Sequence, residues 1–472
     1  MPKTQTLIIG AGPAGLTAAY ELAKRRRHSI IVEKDSMVGG IARTVESAGN
    51  YFDIGGHRFF TKIPRVMTMW QEVLGQDFLK RPRLSRIYYR KKFFYYPIKI
   101  FDVMKKLGFW ESALCGVSFF ISRFKKSPHE ENFEDYIVNR FGRRLYSLFF
   151  RSYTEKVWGI PCTKIKAEWA AQRIKGLSFV TLLKTALLGN RGNAIKTLIE
   201  EFYYPRLGPG MMWRRTAEAV ERSGYGRVIY NTRPVEIVHD GRRVIGCRLR
   251  GDVASQSELW EADNIISSMP LQELIGLFSP RLSEEVIRAA YSLNYRDFIT
   301  VALVVNRREI FPDNWIYIHE PEVRLGRIQN FKNWSPDMVA DKNQSCLGLE
   351  YFCFKNDAVW NMSDQDLVNL AKAELEKIGL VKKNEVSAGT VVRMEKTYPI
   401  YDDNYEQAMP VIRKALSVFS NFYTVGRNGM HRYNNQDHSM YTAMLAVENV
   451  FGAKHDLWQV NTERVYHEEI KK

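Results

Sequence analysis

The stretch "LIIGAGPAGLTAAYELAKRRRHSIIVEKDSMVGGIARTV", Leu7–Val45, decides the fold. It opens on a short apolar run, as in a buried parallel strand, and passes at once into a glycine loop. "LTAAYELAKRR" follows with apolar positions at helical spacing, and "SIIVEK" reads as a second strand ending at Glu33. Each glycine has its own task in such a unit. Gly10 permits the tight turn, Gly12 lets a pyrophosphate reach the backbone at the helix N-terminus, and Gly15 lets helix and strand pack closely. Glu33, about twenty residues after the loop, is placed to hold a ribose hydroxyl. A glycine loop alone is weak evidence, but strand, loop, helix and acidic residue in this order define a dinucleotide site.

The residues beyond Glu33 bear on which dinucleotide. "MVGGIARTV" supplies Gly39, Gly40 and Arg43 and resembles the GG motif of two-dinucleotide-binding-domain flavoproteins. The resemblance implies FAD, with the glycine pair continuing the pyrophosphate cradle. Two distant segments fit the same family. "VIYNTRPVEIVHDGRRVIGCRLR" and "ADNIISSMP", within Val228–Pro270, look like its later strands, with the Val235 backbone at the adenine. "VGRNGMHRYNNQDHSMYTAMLAVENV" supplies Gly426 and a helix starting near Asp437, whose first turn, with Ser439, would face the flavin.

The expected fold is therefore α/β: a Rossmann-type FAD domain carrying a helical insertion and an antiparallel-sheet substrate domain. Residues 1–62, 205–280 and 416–472 are assigned to the FAD domain. Residues 63–204 form a mainly helical insertion, since "NFEDYIVNRFGRRLYSLFFRSYTEKVWG" repeats apolar positions every three or four residues. Residues 281–415 form the sheet domain, because "DFITVALVVN", "NWIYIHE", "SCLGLEYFCF" and "GTVVRMEKTYPIY" are β-type runs.

Composition narrows the partners. The 472-residue chain carries 69 Lys and Arg against 52 Asp and Glu, a formal charge of +17. Such an excess favours an anionic partner. The charge is dispersed and no zinc finger, RNP signature or basic tail is present, so nucleic acid is not expected; a phosphate-bearing small molecule or an anionic membrane surface is. Five scattered cysteines without a CxxC pair fit reduced thiols in the cytoplasm. No signal peptide precedes the glycine loop, and Leu107–Phe124 is too short and polar to span a bilayer.

A closer resemblance runs along most of the chain. "YTEKVWG" (Tyr153–Gly159), the preceding "NFEDYIVNRFGRRLYSLFFRS", "YFDIGGHRFFT" (Tyr51–Thr61) and "FFYYPIK" are similar to segments of UDP-galactopyranose mutases, flavoproteins related to amine oxidases and protoporphyrinogen oxidase. The resemblance implies that reduced FAD attacks the anomeric carbon of a nucleotide sugar through N5. The flavin–sugar adduct opens and recloses the ring in its other size, with NAD(P)H as an external reductant and cell-surface polysaccharide synthesis as the setting. It also implies roles for residues. Gly55 and Gly56 would meet the isoalloxazine, His57 the reacting centre, and Tyr153 and Trp158 the uracil. Arg327 and Arg173 would grip the diphosphate, with Lys175 an alternative to Arg173, and Tyr398 and Tyr401 would lie beside it.

The departures fall on the substrate side: "TYPIYDDNYEQAMPVI" lacks the family's tryptophan, and the second histidine of the flavin-face motif is missing at "HRFF". Two other readings stay open. One is net redox chemistry of the amine oxidase, porphyrinogen oxidase or desaturase type. The other is a polyprenyl-phosphate-linked sugar as substrate, motivated by the interleaved basic and aromatic residues of Lys80–Phe101, which would rest peripherally on the inner membrane face. The competing account of that stretch is a solvated basic helix edge.

Overall fold

The computed structural model describes residues 1–96, 98–125, 127–167, 169–170, 201–252 and 257–461. The quoted stretch forms strand Lys3–Ile9, helix Pro13–Lys24 and strand Ser29–Val32. The two strands pair in parallel, Leu7 opposite Ile30 and Ile9 opposite Val32. They are joined by strands far along the chain. Gly226–Ile229 extends the sheet beyond Ser29–Val32, Glu258–Ser267 lies parallel on the other side of Lys3–Ile9, and Phe422–Thr424 pairs with Glu258–Ser267. Thr232–His239 and Val244–Gly251 add an antiparallel pair, and Phe278–Ser279, parallel to Thr232–His239, completes the sheet. One eight-stranded sheet thus gathers residues from the beginning, middle and end of the chain.

Helix Gln436–Val450 packs against Pro13–Lys24 on one face of this sheet. Small residues of both helices, Ala14, Ala18 and Ala19 of the first and Ala443 and Ala446 of the second, belong to one apolar core. Small side chains let the two helices lie close, which brings both N-termini to the same end of the sheet.

A second sheet of seven strands stands beside the first. Its centre is Tyr295–Val305, flanked by Ser345–Cys353 and Val386–Pro399, both antiparallel to it. The four β-type runs of the sequence fall on strands of this sheet. Tyr295–Val305 and Ser345–Cys353 are buried along their whole length, so they are central strands covered on both faces.

The stretch Lys80–Phe101 is corrected by the structure. It forms no helix edge along its first sixteen residues; strand Phe78–Pro82 and the hairpin Ser85–Tyr89 with Lys92–Tyr95 occupy them. The hairpin joins the second sheet through a parallel pairing with Trp315–Ile318. Its basic run marks the hairpin turn, where Arg90 and Lys91 adopt φ +50° and +58°, and the aromatic residues on either side lie in the paired strands. Arg86 points inward and meets Asp313 at 2.5 Å.

The helical pattern of Asn132–Gly159 is also interrupted. Helix Phe133–Phe141 stops at Gly142, which adopts φ +82°, and a π-helical turn at Tyr146–Arg151 precedes helix Ser152–Trp158. Gly142 cannot carry a side chain because a Cβ there would stand 2.7 Å from Phe119 Cα. That close approach is what seats helix Phe109–Phe124 on the body of the protein.

Candidate functional site

The glycine loop has the geometry its spacing implies. Gly10 adopts φ +96°, and a Cβ on Gly15 would lie 1.8 Å from the Gly10 carbonyl oxygen, so helix and strand touch at backbone distance. Gly12 is different. A Cβ there would meet only Gly40 Cα, at 3.8 Å, so the two glycine motifs face each other across open space. Helix Pro13–Lys24 has no side-chain cap and no acidic residue in its first turn, which leaves its N-terminal N–H groups available to an anion. Gly426 closes the same end: at φ +84° its Cβ position lies 3.0 Å from Ala14 Cβ.

Glu33 stands at the end of strand Ser29–Val32 and accepts hydrogen bonds from the N–H groups of Ala11, at 2.7 Å, and Asp35, at 3.0 Å. Burial raises its pKa, against the lowering effect of those two N–H donors and of Arg43. Each carboxylate oxygen keeps lone pairs for a ribose hydroxyl. Arg43 is anchored on Asp35 at 2.7 Å, and its Nε has no hydrogen-bond partner among the described residues. Val235 sits at a bulge in Thr232–His239, a strand whose first N–H, on Thr232, bonds to the Glu33 carbonyl. An uncapped helix end, an open glycine cradle and a carboxylate at the strand end fit a dinucleotide.

The other end of the site lies where Tyr51–Thr61 meets the second sheet. A Cβ on Gly56 would come within 2.8 Å of Gln329 Nε2, and one on Gly55 within 3.8 Å of Glu350 Oε1. His57 is recessed there, its Nδ1 without a hydrogen-bond partner among the described residues. Its pKa is pulled down to about 3 by burial first and then by the Arg427 and Arg327 guanidinium groups. The imidazole is neutral at any working pH.

Arg327 Nε donates to Glu350 Oε2, and Gln329 Nε2 donates to the other oxygen of the same carboxylate at 2.7 Å. Glu350 is fully buried and is the counter-ion that holds Arg327 protonated. Among the described residues Arg427 meets no carboxylate. It donates to the carbonyls of Asn434, at 2.9 Å, and Thr397, at 3.2 Å, and lies over the rings of Tyr433 and Tyr398 at 4.7 and 5.8 Å. Among the described residues the recess therefore holds two guanidinium groups against one carboxylate.

Aromatic rings form its walls. Tyr153 stacks on His319 at 4.7 Å and meets Tyr317 edge-on at 5.5 Å; the phenol is held far above its usual pKa by burial, against the pull of Arg327. Trp158 lies beyond, 5.0 Å from Trp169 and 6.2 Å from both Tyr398 and Tyr433. Their helix is fixed by Lys156, whose ammonium donates to the carbonyls of Ile318, Glu320 and Leu325 at 2.9 to 3.2 Å. Desolvation brings that ammonium down to about 8. Gly159 ends the helix at φ +69°, its Cβ position 2.5 Å from the buried Arg296 guanidinium.

His57, Tyr153, Arg327 and Tyr398 are thus brought into one recess, with Trp158 behind them. The Tyr401 hydroxyl accepts the Tyr433 N–H at 2.7 Å, and its ring stacks on Tyr405 at 4.5 Å. Arg173 and Lys175 lie outside the described residues. Asp437 and Ser439 are buried in the first turn of Gln436–Val450, and burial pushes Asp437 up to about 7. Sequence reasoning missed Tyr317, Gln329, Glu350 and Arg427. Of these, Gln329 and Glu350 carried the only usable signal, polar residues within otherwise apolar strand patterns.

The comparisons agree with this geometry. Residues 13–399 match the model of the flavin containing amine oxidoreductases, and the chain belongs to that family. It is an FAD-dependent enzyme, and its fold is that of the FAD amine oxidase superfamily. A reduced UDP-galactopyranose mutase superposes with a TM-score of 0.82, covering 97% of this chain and 98% of that one at 21% identity. A fatty acid isomerase from P. acnes superposes at 0.62, over 95% and 99% of the two chains at 13% identity. Among curated sequences, a 15-cis-phytoene desaturase from Synechococcus elongatus is 23% identical over 79% of each chain.

Proposed function

We propose that this enzyme interconverts the pyranose and furanose forms of a nucleotide sugar. The observation that carries the reading is the recess charge: among the described residues, Arg327 and Arg427 stand with one carboxylate, that of Glu350, among Tyr153, Tyr317 and Tyr398. An excess of guanidinium over carboxylate suits a diphosphate, and flat aromatic walls suit a nucleobase and sugar faces. The same excess repels an alkylammonium substrate, which counts against amine oxidation. The likeness to a UDP-galactopyranose mutase in fold supports the same choice.

When bound and reduced, FAD supplies the nucleophile for such a reaction. The chain's residues supply position and charge. Arg327, held by Glu350, receives the diphosphate and stabilises it as it leaves the anomeric carbon. His57, held neutral, offers a hydrogen-bonding nitrogen without adding a third positive charge. Tyr153 and Tyr317 exclude water from the opened sugar. The setting we propose is synthesis of a cell-surface polysaccharide.

The test is direct. Chemically reduced enzyme is incubated with UDP-galactofuranose and UDP-galactopyranose, and the two are resolved by chromatography alongside a panel of other nucleotide sugars. Interconversion in the reduced state and none in the oxidised state supports the reading. Failure to bind any nucleotide sugar, together with flavin reduction by a polyene or amine, overturns it in favour of net redox chemistry.

A further inference from the structure

The large apolar side chains left uncovered by the fold are concentrated in one place. Among the described residues, nine of the 17 exposed large hydrophobic side chains lie between Phe101 and Phe124, on helices Ile100–Leu107 and Phe109–Phe124. Trp110, Leu114, Val117, Ile121 and Phe124 follow one another at steps of four and three, a single stripe along the longer helix. Phe109 widens the stripe at its start. The exposures are large, 79% for Trp110, 78% for Phe109 and 88% for Phe124. The opposite face, with Cys115, Phe119 and Ser122, is the one buried against the protein.

Charge identifies what covers this face. Both acidic side chains of the two helices are already paired, Asp102 with Lys106 at 2.5 Å and Glu111 with Arg144 at 2.6 Å. Exposed Lys99, Lys105, Arg123 and Lys125 frame the apolar stripe. A second copy laid on this surface would bring a like set of cations against it. Anionic phospholipid headgroups supply the missing counter-charge, and the acyl boundary receives the apolar side chains. The longer helix has 16 residues, and no described helix is long and apolar enough to cross a membrane. It lies in the plane of the interface.

We propose that helices Ile100–Leu107 and Phe109–Phe124 are a docking face for an anionic phospholipid bilayer. The face is tied to the functional site: the Tyr95 N–H donates to Asp102 at 3.2 Å and Lys106 donates to the Phe93 carbonyl at 2.5 Å. The next residue, Tyr96, meets Tyr317 at 5.0 Å in the aromatic wall. Docking holds the substrate recess beside the membrane surface, whichever reaction the recess performs.

The experiment uses the purified flavin-bound chain with vesicles of phosphatidylcholine alone or of phosphatidylcholine mixed equally with phosphatidylglycerol, followed by sedimentation. The enzyme pellets with the mixed vesicles, and added salt weakens the binding. Replacing Trp110→Ser with Phe124→Ser, or Lys105→Glu with Lys125→Glu, each lowers partitioning by about tenfold or more. Flavin absorbance and the melting temperature stay at wild-type values in both pairs. Equal binding to both vesicle types, or no binding, overturns the proposal. So does sedimentation velocity showing a dimer that the Trp110→Ser and Phe124→Ser pair dissolves.

Discussion

The two ends of the functional site are built from different materials. The cradle between Gly12 and Gly40 is made of backbone: glycines that allow close approach, an uncapped helix end, and one carboxylate at a strand end. The recess around His57 and Arg327 is made of side chains delivered by Tyr51–Thr61, Ser152–Trp158, Trp315–Ile318, Arg327–Asn330, Ser345–Cys353, Val386–Pro399 and the Gly426 loop. A ligand common to many chemistries is held by backbone, which any sequence carries if its glycines fall at the right steps. A particular substrate is held by side chains that only the folded chain assembles.

The sharpest way to break this contrast is within the glycine loop itself. Gly15→Val drives a side chain into the Gly10 carbonyl at 1.8 Å, backbone that cannot yield, and the expected result is loss of folded protein. Gly12→Val projects into open space opposite Gly40. That variant is expected to fold and to be colourless, because the new side chain fills the pyrophosphate's place. Expression, circular dichroism and flavin absorbance separate the two outcomes. A yellow Gly12→Val protein would show that the cradle is not where the cofactor binds.

On the recess side the largest effect is expected at Arg327. Arg327→Ala leaves Glu350 buried without its counter-ion, at a cost of about 3–5 kcal/mol in stability. It should also weaken UDP binding by about 2–5 kcal/mol. The double variant Arg327→Met with Glu350→Gln removes both charges and should recover stability but not UDP binding. Urea unfolding and calorimetric titration read the two quantities apart. If Arg327→Ala binds UDP like wild type, the recess does not receive a diphosphate.

The contrast also explains what the sequence disclosed. Gly10, Gly12, Gly15 and Glu33 act through spacing along one short segment, so local reading found them. The strands of the second sheet were legible for the same reason: runs of β-branched and aromatic residues. Glu350 showed only as a polar residue within an apolar strand, and nothing local revealed that it holds a guanidinium 23 residues away; Arg427, on a loop, carried no local signal at all. Tyr401 carries a contact that its place beside "TYP" did not announce: its hydroxyl accepts the Tyr433 N–H. The Lys80–Phe101 stretch failed on element type: its basic and aromatic residues fall mainly on strands and a hairpin turn, and helix begins only at Ile100.

A pH measurement tests the junction between the two ends. Asp53 is fully buried at the end of strand Asn50–Asp53, accepting from Thr44 at 2.7 Å and from the Tyr204 hydroxyl. Desolvation outweighs both donors and pushes its pKa up to about 7. The folded state therefore takes up a proton that the unfolded chain releases near pH 4. Asp53 favours folding fully below that value, and the contribution is lost as pH rises toward 7. Asp53→Asn should flatten the fall in melting temperature between about pH 4 and 7. His57, held at about 3, contributes no step to the pH–rate profile in that range. A profile step near pH 6.5 that disappears in His57→Gln would show an imidazole less shielded than the two guanidinium groups make it.

The smallest effect distinguishes a wall from its support. Tyr401→Phe removes the acceptor of the Tyr433 N–H, a loss of about 1 kcal/mol in stability. UDP affinity should stay near wild type, since the hydroxyl already faces Tyr433. Tyr398→Phe is the matched control. Its ring stacks on Tyr433 at 5.6 Å and lies under Arg427, and its phenol is kept protonated chiefly by burial, against the pull of Arg327. Losing that hydroxyl should weaken UDP binding by about 1 kcal/mol with little change in stability. If the two variants exchange behaviour, Tyr401 lines the recess, and the boundary between substrate-facing and supporting side chains moves one strand end outward.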